Sequence, residues 1–253
     1  MISFTDTQLI GWLSAFLLPL FRVLGLMTSA PLLSNRGFPA RARVALAAVI
    51  AMMVAPFVDM PKGVDLGSAH ALLLVGREVL IGLAIGFVAR LIFTAFELAG
   101  EIIGLQMGLS FAGYFDPSAG GQANAVGRTI NAFSMLTFVS LNGPLLLLAV
   151  VVQSFSVFPI APGLPTSWAS LSPVQLGADV FALGLALALP FTALLLFMNL
   201  VLGVISRVAP QFNVFAVGFP VTIGAGLILL ATGFPLLEAP LTEATQRVMS
   251  LMR

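Results

Sequence analysis

VFALGLALALPFTALLLFMNLVLGVIS, residues 180–206, contains no Asp, Glu, Lys or Arg. A helix needs ~20 apolar residues to cross the hydrocarbon core of a bilayer, so this run is long enough on its own. Thr129–Ala178 and Val208–Leu237 are equally free of charge. Over the 253 residues, 59% are hydrophobic and 8% charged, whereas an ordinary globular domain carries about 25% charged residues. A soluble bundle of this composition would lack a polar face to solvate it. The expected fold class is an all-α integral membrane protein.

The same composition narrows the function. Net charge is +1 with no basic patch, so nucleic acid is not an expected partner. The chain has no cysteine, which removes disulfides, thiol chemistry and Cys-ligated zinc, and its single histidine, His70, cannot build a metal site alone. No cofactor is expected. There is no GxxxxGK[ST], GxSxG or HExxH pattern, so the chain does not read as an enzyme. A polytopic transporter stays open on composition, but its usual pair of related halves with matching broken helices is not visible. The first residues, MISFTDTQLIGWLSAFLLPLF, start acidic rather than basic, and the apolar run continues past Arg22 to Leu33. A retained first segment is expected rather than a cleaved signal peptide.

Apolar segments fall at about 8–33, 44–58, 71–96, 98–115, 129–160, 180–206 and 211–236. The intervening pieces 34–43, 59–70, 116–128, 161–178 and the tail from Glu238 are short, and no soluble domain is attached. Segments 44–58 and 102–115 are too short to span ~30 Å at 1.5 Å per residue, so they are expected to be hairpin arms or re-entrant pieces. Pro144, Pro190, Pro220, Gly224, Gly226 and Gly233 predict bent helices whose freed backbone groups are satisfied by neighbouring protein. Arg36, Arg41 and Arg43 favour a cytoplasmic loop by the positive-inside rule, although that rule loses its basis if the hairpins do not span.

Charged residues inside or beside apolar runs are costly in lipid and normally face a bundle interior or a wet path. Arg22, Arg77, Glu78, Arg90, Glu97, Glu101, Asp179 and Arg207 are of this kind. If residues 78–108 form one helix, Arg90, Glu97 and Glu101 lie at i, i+7 and i+11, on one face. Gly104 and Gly108 continue that face, and Gly82, Gly86, Gly100, Gly104 and Gly108 give the small-residue spacing that lets another helix approach closely. This is either a polar, tightly packed seam facing a partner or pore, or an internal ion pair of Arg90. A proton relay through Glu97 and Glu101 is a weaker alternative.

Two less apolar stretches remain. GLSFAGYFDPSAGGQANAVGR, residues 108–128, begins with bulky Phe111, Tyr114 and Phe115, ends its helix at Asp116–Pro117, and continues through Gly113, Gly120 and Gly121 as a loop with little obligatory packing. On its residues alone it reads as a solvated connector. SRVAPQFNVF, residues 206–215, gathers Arg207, Pro210, Gln211 and Asn213 between apolar arms. It reads first as a hairpin tip and second as a partner contact.

AGEIIGLQMGLSFAGYFDP (99–117), VLGVISRVAPQFNVFAVGFPV (201–221), GREVLIGLAIGF (76–87) and the R-x-x-G-L-x-x-x-A-P-L-L pattern from Arg22 to Leu33 together resemble the FliR family of flagellar protein-export components. SRVAPQFNVFAVGFP is the most specific piece, and the resemblance covers essentially the whole chain in order. The family also has a branch in virulence type III secretion injectisomes, but the GLQMGLSFA run is more similar to the flagellar branch.

The resemblance implies a core subunit of the type III export gate in the inner membrane at the flagellar basal body. There, bent helical hairpins pack in a hetero-oligomer with FliP and FliQ subunits. It implies that about 1–128 of this single membrane-embedded chain packs like FliP and about 129–253 like FliQ. FlhB and FlhA would dock on the cytoplasmic side, and unfolded rod, hook and filament proteins would pass through. For residues Phe111, Gly113, Tyr114, Phe115, Asp116, Pro117, Gly120 and Gly121 it implies a plug projecting into the channel.

Overall fold

The computed structural model describes residues 6–34, 37–58, 68–109, 125–161, 163, 172–209 and 217–250. Among them it contains seven α-helices and no strand: α1 Asp6–Ser29, α2 Ala40–Val54, α3 Ala69–Gln106, α4 Ala125–Ser140, α5 Gly143–Val157, α6 Pro173–Val208 and α7 Phe219–Ser250. This is the all-α membrane architecture expected from composition. Five stretches are long and apolar enough to cross a membrane: Ile10–Ser29, Ala40–Phe57, Ala69–Gln106, Pro173–Val208 and Phe219–Ala244.

Several boundaries differ from the sequence expectation. Segment 44–58 is not a short arm. Its helix starts at Ala40, directly after Pro39 in an extended conformation, takes in Arg41 and Arg43, and continues through a 3₁₀ turn over Ala55–Phe57. The resulting 18 residues, Ala40–Phe57, meet the length of a span. Segments 71–96 and 98–115 are not separate either, because α3 runs unbroken for 38 residues and residues 102–106 are its last turn. Charge at Glu97 and Glu101 lowers local hydropathy but does not remove a backbone hydrogen bond, so the helix continues. Segment 129–160, by contrast, is two helices. The chain turns at Leu141–Asn142, where Asn142 takes φ 57°, in the left-handed region that asparagine tolerates better than most residues. Pro144 then sits in the first turn of α5, where its missing N–H costs nothing. The tail from Glu238 continues α7 as helix to Ser250.

The chain forms two compact units. The first comprises Met1–Leu91, Asn142–Pro173 and Thr245–Arg253. Its core centres on α1, where Leu18, Val23, Leu26 and Met27 are fully buried and which packs against α2 and α5. The second comprises Ile92–Leu141 and Val174–Ala244. In it, α6 buries only the stripe Gly184, Leu187, Ala188, Phe191 and Leu195. Phe181, Leu185, Leu189, Phe197, Leu200 and Val204 on the same helix are exposed. A surface this apolar suits lipid or protein rather than water.

Candidate functional site: a buried charge tie and two helix crossings

Arg22 lies three-quarters of the way along α1, in an apolar helix, with its side chain fully buried. A guanidinium cannot shed its charge there, so each of its donors needs a partner. The structure supplies three. Nε donates to Glu78 Oε2 at 2.7 Å, one terminal nitrogen donates to Ser154 Oγ at 3.0 Å, and the other donates to the Phe158 carbonyl at 2.8 Å. The guanidinium carbon lies 3.9 Å from the centroid of Phe155, a cation–π arrangement strengthened by the dry surroundings. Arg77 completes the cluster, donating to Glu78 Oε1 at 3.2 Å and to the Pro159 carbonyl at 2.8 Å.

The cluster also answers a need of the backbone. The last carbonyls of a helix have no intrahelical partner, and hydrocarbon offers no water to satisfy them. Helix α5 ends at Val157, and the Phe158 and Pro159 carbonyls are taken up by the two arginines, which also complement the negative end of the helix dipole. One carboxylate, two guanidiniums and one hydroxyl thereby tie α1, α3 and the end of α5 together.

Above this tie, α1 and α3 touch backbone to backbone. A Cβ added to Gly25 would meet the Val79 carbonyl oxygen at 2.6 Å. One on Gly82 would run into the Arg22 carbonyl oxygen and lie 2.8 Å from the Leu26 amide, and one on Gly86 would run into Ser29 Oγ and lie 2.7 Å from the Ala30 amide. Glu78, Gly82 and Gly86 recur every fourth residue, so the charged contact and the close approach share one face of α3.

A second crossing lies in the other unit, between the later part of α3 and α4. A Cβ on Gly100 would meet Gly127 Cα at 2.5 Å, and one on Gly127 would meet Glu101 Oε1 at 2.8 Å. Asn131 Nδ2 donates to Glu97 Oε2 at 3.2 Å, while its Oδ1 is buried without a hydrogen bond. Phe93 meets Phe138 edge-on at 5.2 Å.

The residues singled out from sequence are distributed as follows. Glu97 and Glu101 are both half-buried on the side of α3 that meets α4, and Gly104 is buried one turn on. Arg90 is exposed. Gly108 does not continue the helical face, because α3 ends at Gln106. Instead Gly108 takes φ +82° and lies against the Phe219 ring, whose Cε1 is 3.0 Å from where its Cβ would stand. Arg207 is exposed in the last turn of α6. Pro210, Gln211 and Asn213 lie outside the described residues, as do Phe111, Gly113, Tyr114, Phe115, Asp116, Pro117, Gly120 and Gly121.

The pairing of Arg22 with Glu78 was missed from sequence. The available signal was a lone arginine deep in an apolar run, which demands a counter-ion. Among the described residues no three His, Asp or Glu side chains gather as metal ligands would.

Helices of span length, an apolar exterior, ion pairs held inside and glycine-cushioned crossings define a polytopic helical membrane protein. Comparison with known proteins narrows this class. Residues 13–248 match the model of the family described as bacterial export proteins, family 1. The chain is 41% identical to the flagellar biosynthetic protein FliR of Escherichia coli K12, over 96% of this chain and 92% of that protein. It is 37% identical to FliR of Pectobacterium carotovorum, over 94% and 90%, and 31% identical to FliR of Bacillus subtilis, over 88% and 87%. The chain belongs to this export family, within its FliR group, and is a membrane component of the flagellar export apparatus.

Proposed function

We propose that this chain is a pore-forming, non-enzymatic subunit of the flagellar type III export gate in the bacterial inner membrane. In this reading it assembles with FliP and FliQ subunits, with FlhB and FlhA docking on the cytoplasmic side, and its residues 1–128 and 129–253 take FliP-like and FliQ-like places. Unfolded rod, hook and filament proteins pass through the channel. The loop containing Phe111, Tyr114, Phe115 and Asp116–Pro117 closes it between substrates. Arg90, Glu97, Glu101 and Gly104 form a packed polar seam, and Arg207, Pro210, Gln211 and Asn213 meet a partner subunit.

One observation carries most weight beside the family membership. Only 17% of the span-length stretch Ala40–Phe57 is buried within the chain, and along Pro173–Val208 only Gly184, Leu187, Ala188, Phe191 and Leu195 are buried. Large apolar side chains on both, among them Met52, Met53, Phe57, Phe181 and Phe197, are exposed. Such helices are built to be covered by other apolar surface, which supports a role as one stave of a larger membrane assembly. The test is purification of the tagged chain from detergent-solubilised membranes. A stoichiometric complex with two other small membrane proteins is expected, and recovery of the chain alone, from cells that assemble flagella, would contradict the proposal.

A further inference from the structure

We propose that Asn199 on α6 and the first turns of α7 form an external cap on α3, and so position the point at which the chain leaves that helix. The carbonyls at the end of α3 need donors from outside it. Asn199 Nδ2 donates to the Gln106 carbonyl at 3.3 Å. Thr222 Oγ1 lies 3.5 Å from the Met107 carbonyl and shares its one proton between this and the carbonyls of Gly218 and Phe219 on its own chain segment, at 3.1 and 3.0 Å.

Packing at the same place is close. Met107 is fully buried and fills the space left by Gly226, where a Cβ would meet its Cγ at 2.5 Å and its Sδ at 2.6 Å. Phe219 lies on Gly108, whose φ of +82° turns the chain out of the helix. Asn199 is itself exposed, on an apolar helix between exposed Leu196 and Leu200. A primary amide in such surroundings is costly unless its hydrogen bonds are made, and the bond it makes is to α3.

Four positions on two other helices, Asn199, Phe219, Thr222 and Gly226, thus fix the last carbonyl of α3, at Gln106, and the two residues that follow it, Met107 and Gly108. The direction of the chain at residue 109 is set by α6 and α7 more than by α3 itself. Helices α6 and α7 are joined through residues 210–216, the stretch proposed above to meet a partner. Displacement of α7 at that junction would reach Gly108 through Phe219 and Thr222. In functional terms the inference rests on the proposal that the segment after Gly108 plugs the channel, and it makes Asn199 and Thr222 positioning residues for that plug.

The chain has no cysteine, so spin labels can be placed at Leu105→Cys on α3 and Leu227→Cys on α7, both exposed. The distance distribution is measured in the assembled complex, and small-solute leak is measured in cells. With Asn199→Leu/Thr222→Val, which removes both donors at similar volume, the distribution broadens and leak rises towards that of a chain lacking residues 113–121. With Thr222→Ser, which keeps the hydroxyl, both stay as in the parent. A distribution unchanged by the double substitution overturns the cap. If the double variant does not assemble, Asn199→Leu alone is measured, and an unchanged distribution there overturns the cap equally. A broadened distribution with no leak, in the double variant and in the loop deletion alike, upholds the cap and removes the plug instead.

Discussion

Glu78→Gln is the most informative single change. It keeps the shape of the side chain and removes the one negative charge that faces both Arg22 and Arg77 in the buried tie. Neither Arg22 nor Glu78 has any exposed side-chain surface, so water cannot screen what remains. Removing one partner of a buried ion pair costs about 3–5 kcal/mol, because the other charge is left uncompensated. The amide of Gln also turns one acceptor into a donor facing a guanidinium, an unmade hydrogen bond of about 1–3 kcal/mol. These terms describe the same event and do not add fully. A loss of about 3–5 kcal/mol is expected, or on the order of 10²- to 4 × 10³-fold in the ratio of folded to unfolded chain. Arg22→Met introduced into the Glu78→Gln background should then cost much less than Arg22→Met in the parent, since the charge it pairs with is already gone. The assay is the thermal midpoint of the detergent-purified complex, with membrane abundance as a second reading. Glu238→Gln, the same chemical change at an exposed position of α7, is the control and should stay within about 0.5 kcal/mol of the parent. If Glu78→Gln melts with Glu238→Gln, the buried tie does not hold α1, α3 and α5 together.

Gly82→Leu should prevent α1 and α3 from closing, because the atoms in its way belong to the backbone at Arg22 and Leu26 and cannot rotate aside. Loss of the chain from the membrane fraction checks this, and normal abundance would refute the close approach. Gly104→Leu, at a buried position one turn beyond Glu101, should cost about 1–3 kcal/mol by overpacking and lower recovery of the assembled complex. Unchanged motility and recovery would mean that this face is open. Arg207→Ala and Asn213→Leu should weaken co-purification with partner subunits while membrane insertion stays normal. Degradation before insertion would show that the two residues serve the chain's own fold.

The helical membrane class could be read from the chain because it needs only composition: the charge-free run 180–206 has no alternative in water. Boundaries were less legible where charge and backbone disagree. Arg41 and Arg43 suggested a loop, yet a first helical turn accepts arginines whose long stems can reach a polar layer. Glu97 and Glu101 suggested an interruption, yet a carboxylate that meets Asn131 or lies beside Gly127 leaves α3 intact. The break at Leu141–Asn142 was signalled by Asn-Gly-Pro but masked by the apolar residues on either side.

In the candidate site, the spacing of Gly82 and Gly86 announced a close helix contact, but nothing in the spacing said that α1 would supply the other side. The Arg22–Glu78 pair joins positions 56 residues apart. No periodicity encodes such a pair, and only the cost of an isolated charge in an apolar helix hints at it. The external cap on α3 was equally hidden, since Asn199 and Thr222 look like incidental polar residues until the helices are placed together.

The central claim is that the chain lines a conduit for unfolded protein and closes it with its own loop. A pore wide enough for a polypeptide leaks ions and metabolites unless something fills it, and bulky apolar side chains can add a constriction that closes by dewetting. The direct measurement is small-solute permeability, with growth under salt stress, in cells that make the chain lacking Gly113 to Gly121 together with its partners, with assembly verified in the same cells. The account predicts an intact complex that leaks. An intact complex with the permeability of the parent would contradict it and place the seal in another subunit.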